Sequence, residues 1–83
     1  MARGILARAA AKAAKEAAEF NDRYPVGTKV RYWPGLREGE GIEGHTRSIA
    51  WEVCGTAVVK CTGRAGGIAL SHVEPVPEDD HAA

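Results

Sequence analysis

The run SIAWEVCGTAVVKC, residues 48–61, constrains this chain more than any other stretch. Two segments rich in β-branched and aromatic residues, 49–53 and 57–61, flank Gly55 and Thr56. Such side chains fit a pleated, half-buried surface, and glycine at the first central position of a two-residue loop fits a type II′ turn. The spacing predicts an antiparallel hairpin with Val53 opposite Val58 and Cys54 opposite Ala57. Side chains alternate across a strand, so the hairpin divides into two faces. One is bulky: Ile49, Trp51, Val53 and Val58. The other is small, with Ala50, Cys54, Ala57, Val59 and Cys61, interrupted by Glu52. The bulky face is the expected core, with Ile68 beside it. The small face is what a closely packed helix needs. A one-residue slip would exchange the two.

A helix is predicted upstream. Residues 2–20, ARGILARAAAKAAKEAAEF, are dominated by strong helix formers. Leu6, Ala10, Ala13, Ala17 and Phe20 fall on one stripe, and Arg8, Lys12, Lys15 and Glu19 on the opposite one. Asn21 is the expected C-cap, and Pro25 prevents continuation. Bases near the start and Glu16 and Glu19 near the end oppose the helix dipole, so fraying is expected around Gly4. Lys12–Glu16 and Lys15–Glu19 pairs should recover a few tenths of a kcal/mol each. Residues 21–25, NDRYP, read as a linker turn with Tyr24 against the core.

Strand signals continue downstream. In residues 26–33, VGTKVRYW, Val30 and Tyr32 alternate with Lys29, Arg31 and Trp33; the first pair is expected inward and the other three outward. Residues 34–45, PGLREGEGIEGH, read as a long exposed loop without strand pattern, with Leu36 and Ile42 tucking it onto the body. Residues 62–67 are a glycine-rich connection. Residues 68–73 are a last strand with Ile68 and Leu70 inward, then a short helical turn. The expected organisation is an Ala-rich helix over 1–22, a small β unit over 23–76 and an acidic tail over 77–83, disordered beyond Val76. One helix followed by four to five short antiparallel strands makes an α+β chain, mainly β, rolled into a small barrel.

With 83 residues the chain is a single-domain length. Net charge is zero but polarised: residues 1–37 hold eight Lys or Arg against three acids, and residues 74–80 hold four acids and no base. A neutral total argues against a dedicated nucleic-acid coat. The basic half, with Arg3, Arg8, Lys12 and Lys15 on the helix, is open to an acidic partner or is a solvated face. Cys54 and Cys61 sit roughly 13 Å apart in the expected register, too far for a disulfide, so free buried thiols in a reducing cytoplasm are expected. Neither a signal peptide nor a membrane-spanning stretch is read from the sequence.

No catalytic constellation emerges, so no enzyme is expected. His45, His72, Cys54 and Cys61 lack metal-ligand spacing, so neither a metal nor another cofactor is predicted. Cys54 has no flanking base to activate it, residues 63–67 do not match a phosphate loop, and Glu38, Glu40 and Glu43 sit in a loop that cannot hold acid–base geometry. The remaining signal is aromatic and basic. Lys29, Arg31 and Trp33 share a strand face, with Arg47 across the loop. That set can cradle a peptide or stack on bases, unless Trp33 folds over the barrel end.

Strand, long loop, hairpin, short turn, strand and terminal turn at Ser71-His72-Val73-Glu74-Pro75 form an order that resembles the Src-homology-3-like (SH3-like) barrel class. Tyr24-Pro25-Val26-Gly27-Thr28, Thr46-Arg47-Ser48 with Ala50-Trp51, and Gly66-Gly67-Ile68-Ala69-Leu70 with His72-Val73-Glu74-Pro75 are similar to segments of short uncharacterised proteins of actinobacteria and their phages. The likeness covers residues 21–76. It implies a fold and an origin, and no activity. The barrel class hosts binders of peptides, nucleic acids and proteins, so fold does not choose among them. The expected function is a protein-interaction module, a phage-type accessory protein docking a host or phage protein. The alternatives are a small nucleic-acid-binding barrel and a self-associating component of a larger particle.

Overall fold

In the computed structural model, which describes residues 2–76 and the side chains of residues 7–76, the alanine-rich segment is one helix, α1 (Ala2–Arg23). It runs past the expected end at residue 20. The Tyr24 amide still donates to the Phe20 carbonyl at 2.8 Å, and the chain leaves the helix at the residue before Pro25, where the α conformation is sterically disfavoured. Asn21 is therefore no cap. Its Nδ2 donates to the Ala50 carbonyl at 3.0 Å, and its Oδ1 accepts from the Ala50 amide at 2.7 Å. Phe20 and Tyr24 pack ring on ring, 5.0 Å between centroids. Arg8, Lys12, Lys15 and Glu19 are exposed, as the stripe predicts. The Lys12–Glu16 and Lys15–Glu19 pairs do not close: among the described residues the ion pairs are Arg31–Glu43 and Arg37–Glu74.

Six strands follow: β1 (Lys29–Tyr32), β2 (Ile42–His45), β3 (Trp51–Val53), β4 (Thr56–Lys60), β5 (Gly67–Ala69) and β6 (Val73–Pro75), with a 3₁₀ turn over Leu70–His72. They pair antiparallel in two sheets, β2-β1-β6 and β3-β4-β5. A bridge between Thr46 and Cys61 connects β2 to the β4 side. From there six residues, Thr46 to Trp51, run beside four, Cys61 to Val58, so residues 42–53 are one kinked course shared by both sheets. Side chains complete the ladder at the kink, where Ser48 Oγ accepts from the Lys60 amide and Asn21 holds Ala50. The two sheets are open, and the closed barrel of four to five strands is not found.

The segment 42–45 was expected as loop because Ile-Glu-Gly-His carries little strand propensity. Pairing with β1 imposes the strand, with Tyr32 opposite Ile42 and Arg31 opposite Glu43. Tertiary context overrides intrinsic preference readily in sheets. Leu36 and Ile42 do not tuck in; they are 79% and 44% exposed.

The hairpin forms, but its turn is Cys54-Gly55, both with positive φ (48° and 85°). That is the backbone of a type I′ turn, which takes glycine second, in place of the expected type II′ turn at Gly55-Thr56. The register moves by two, to Trp51–Val58 and Val53–Thr56, so each face keeps its membership. The choice of core face is reversed. Ala50, Ala57, Val59 and Cys61 are buried, whereas Ile49 is 61% and Val53 43% exposed. Helix α1 covers the small face, contacting β3 and β4 through buried Ala13 and Ala17. A methyl at Gly55 would stand 3.2 Å from the Ala9 Cβ. Large side chains cannot enter so close a contact, so the bulky face turns outward. Cys54, expected buried, is exposed, and Glu52 lies on the helix side because its carboxylate accepts from the Gly55 amide at 2.6 Å. Val30, Tyr32, Ile68 and Val73 complete one core with Phe20 and Leu70 against it. The predicted tail, 77–83, and the Leu6 side chain lie outside the described residues. Among those described, no helix is long and apolar enough to cross a membrane.

Asn21→Ala leaves the buried amide and carbonyl of Ala50 without partners. The expected loss is about 1–3 kcal/mol of unfolding free energy, read by urea denaturation, against no more than ~0.5 kcal/mol for Asp22→Ala on the exposed side.

Candidate functional site

The outward face of β1 carries Lys29 and Arg31, as predicted, but Trp33 is buried at 7% exposure. Its backbone amide donates to the His72 carbonyl at 3.0 Å, and its Nε1 donates to the Gly39 carbonyl at 3.2 Å. The Trp33 carbonyl lies 3.1 Å from His72 Nδ1. Arg37 lays its guanidinium 4.4 Å over the indole ring while donating to the Ser71 carbonyl and to Glu74 Oε2. The ring is thus the floor on which loop 34–41 folds back. Gly41 sits at φ +74°, and a Cβ there would lie 2.7 Å from Trp33 Cε2, so both conformation and space exclude a side chain. The outward position expected for Trp33 is overturned because an indole at a strand end gains more from covering the sheet edge than from water.

Arg31 is likewise committed. Nη1 donates to the Glu40 carbonyl and Nη2 to Glu43 Oε2, both at 2.9 Å, with Glu43 and Glu74 its cross-strand neighbours. Arg47 donates to three carbonyls, those of Cys61, Arg64 and Ala65, and so staples the β4–β5 connection. Its partners and those of Arg31 and Trp33 do not overlap. The four predicted binding residues therefore do not form one free surface. Lys29 differs: half-buried opposite His45, it makes no ion pair among the described residues. On α1, Arg8, Lys12 and Lys15 are exposed and make no ion pair there either, and the side chain of Arg3 lies outside the described residues.

The surface that sequence reasoning assigned to the core is the one left open. Ile49 and Val53 are exposed beside half-buried Trp51 and Val58. Trp51 reaches across the outer face of β3-β4-β5: its Cη2 is 3.4 Å from where a Gly67 Cβ would be, and Val58 Cγ2 is 3.0 Å from the same point. The Trp51 indole N–H makes no hydrogen bond among the described residues. Of the strand residues on this face, Lys60 carries the one charge. The alternation of the hairpin had already grouped these residues. The deciding signal was the helix stripe, whose alanines choose the small face and outweigh the larger size of the other.

Burial pushes the Cys61 thiol above its ordinary value near 9.0, and the Arg47 charge offsets part of that rise. Among the described residues no group of three His, Cys, Asp or Glu is placed to hold a metal ion. Comparison with protein-family models, with curated proteins and with solved structures returns no match.

With a thiol reagent at neutral pH, Cys54 reacts on mixing, whereas Cys61 reacts only as the protein opens; two thiols of equal rate contradict the packing. The folded Cys61 thiol stays protonated to higher pH than the unfolded one. Its contribution to stability is complete below the unfolded value and declines as pH rises above about 9, a decline that Cys61→Ala removes from a pH series of melting temperatures. Trp33→Ala frees loop 34–41, so limited proteolysis cuts there at least ~10-fold faster while the strands persist.

Proposed function

We propose that this protein is a non-enzymatic interaction module that docks its partner on the outer face of the β3-β4-β5 sheet. The observation that carries the reading is the contiguous apolar group Ile49, Trp51, Val53 and Val58, open on the face opposite the helix. A monomeric protein seldom leaves such a group uncovered without use. The expected partner is an extended, apolar or proline-bearing segment of another protein. Four partly exposed side chains offer on the order of a few hundred Å², against about 800 Å² per partner in a standard interface, which suits a short segment better than a second copy. An aromatic plane with a free indole N–H beside it is what proline-rich chains use, the ring taking the pyrrolidine and the N–H a backbone carbonyl. Lys60 at the margin favours acidic flanks on that segment.

The Src-homology-3-like class is part of the same reading. The kinked course 42–53 shared by two sheets, and the 3₁₀ turn that returns β6 to pair with β1, support it. On the resemblance to short proteins of actinobacteria and their phages, the partner in this reading is a host or phage protein in the host cytoplasm. A second reading, nucleic-acid binding, has one observation in its favour: Arg8, Lys12 and Lys15 stand unpaired on one helix stripe among the described residues. The engagement of Arg31, Trp33 and Arg47 with the fold weighs against it.

Ile49→Asp and Trp51→Ser are the test. Partners recovered from the native host by the unaltered chain should be lost, at least ~10-fold weaker, with both variants, while Ile49→Asp leaves the melting temperature within a few degrees. Retention of every partner by both variants overturns the surface. Retardation of DNA or RNA in low salt that is lost in an Arg8, Lys12, Lys15 triple-alanine variant supports the second reading instead.

A further inference from the structure

A groove of about 440 Å³ lies far along the chain from the proposed docking face, between the segment leading into β1 and the end of β6. Tyr24, Pro25 and Val26 form one wall, Pro75 and Val76 the other, and among the described residues Lys29 carries the one charge of the lining. That volume falls within the range used for small-molecule sites.

The walls are held in place by bonds that leave their polar atoms occupied. Thr46 Oγ1, buried, accepts from the Gly27 and Thr28 amides at 3.0 and 3.2 Å. Thr28 Oγ1 donates to the Pro25 carbonyl at 2.6 Å, and the Val76 amide donates to the Lys29 carbonyl at 2.9 Å. Two prolines stiffen the rims. The polar side-chain groups of these walls that have no hydrogen-bond or ion-pair partner among the described residues are the Tyr24 hydroxyl and the Lys29 ammonium. The cross-strand neighbour of Lys29 is His45, the next residue on its face is Arg31, and Glu74 beside Pro75 is taken by Arg37. A cation beside an apolar groove, with no carboxylate of the described residues paired to it, attracts one.

We propose that this groove binds a small monoanionic amphiphile, a molecule with an aryl or short alkyl body and one carboxylate. The body lies against Tyr24, Pro25, Val26 and Pro75, and the carboxylate meets Lys29. Nothing in this site depends on the Trp51 face, so the two can be tested apart.

The experiment is an amide-resonance NMR titration of the full chain with phenylbutyrate, phenylbutanol and phenylbutylamine, probes of matched size. Phenylbutyrate should give saturable shifts at Gly27, Thr28, Lys29 and Val76, with phenylbutanol about five-fold weaker, as one half-exposed ion pair allows, and phenylbutylamine weaker again. Lys29→Met should bring phenylbutyrate down to the level of phenylbutanol. Val26→Ser, at an exposed position, should weaken both alike and covers the case in which Lys29→Met fails to fold. Shifts that do not saturate, shifts centred elsewhere, or an unchanged preference for the carboxylate in Lys29→Met overturn the proposal.

Discussion

The fold depends on how closely α1 can approach the hairpin. Alanine buries little area, so a stripe of Ala13 and Ala17 gains from packing only against a surface that is itself small. Ala50, Ala57 and Cys61 provide it. At that separation dispersion contacts replace the area that larger side chains would have buried. Asn21 fixes the alignment by bonding both backbone groups of Ala50, at the point where the strand course kinks and its own ladder lapses. Helix position, kink and choice of core face are therefore one constraint.

From this constraint comes the outward turn of Ile49, Trp51 and Val53, and with it the surface on which the functional reading rests. The charged groups behave differently. Arg31, Arg37 and Arg47 face backbone carbonyls of neighbouring connections, and two of them also acids on adjacent strands, where an arginine's planar fork holds several oxygens at once. Their work is to fix connections rich in glycine, which would otherwise be costly to order. Exposed ion pairs such as Arg31–Glu43 contribute little to stability, about 0.2–1 kcal/mol each, and more to loop geometry.

Much of this was legible in the sequence. The helix, the hairpin, its two faces and the inward pair Val30 and Tyr32 follow from periodicity alone. What periodicity does not carry is which of two faces lies inside. Size argued for Ile49 and Trp51, and only the alanine content of a distant helix argues the reverse. Strand β2 was illegible because its residues are strand by pairing and not by preference. The contacts of Trp33 and Arg47 within the fold were illegible because a sequence does not show which loop carbonyls will fold back within reach of an indole N–H or a guanidinium.

Native-state hydrogen exchange tests the central claim most directly. If α1 is docked through its alanines as an integral layer, amides of residues 13–20 open with the same free energy as those of β4, by global unfolding. Helix amides that exchange orders of magnitude faster than those of β4, with β4 unchanged, would show a helix that leaves without the sheet and would contradict the account.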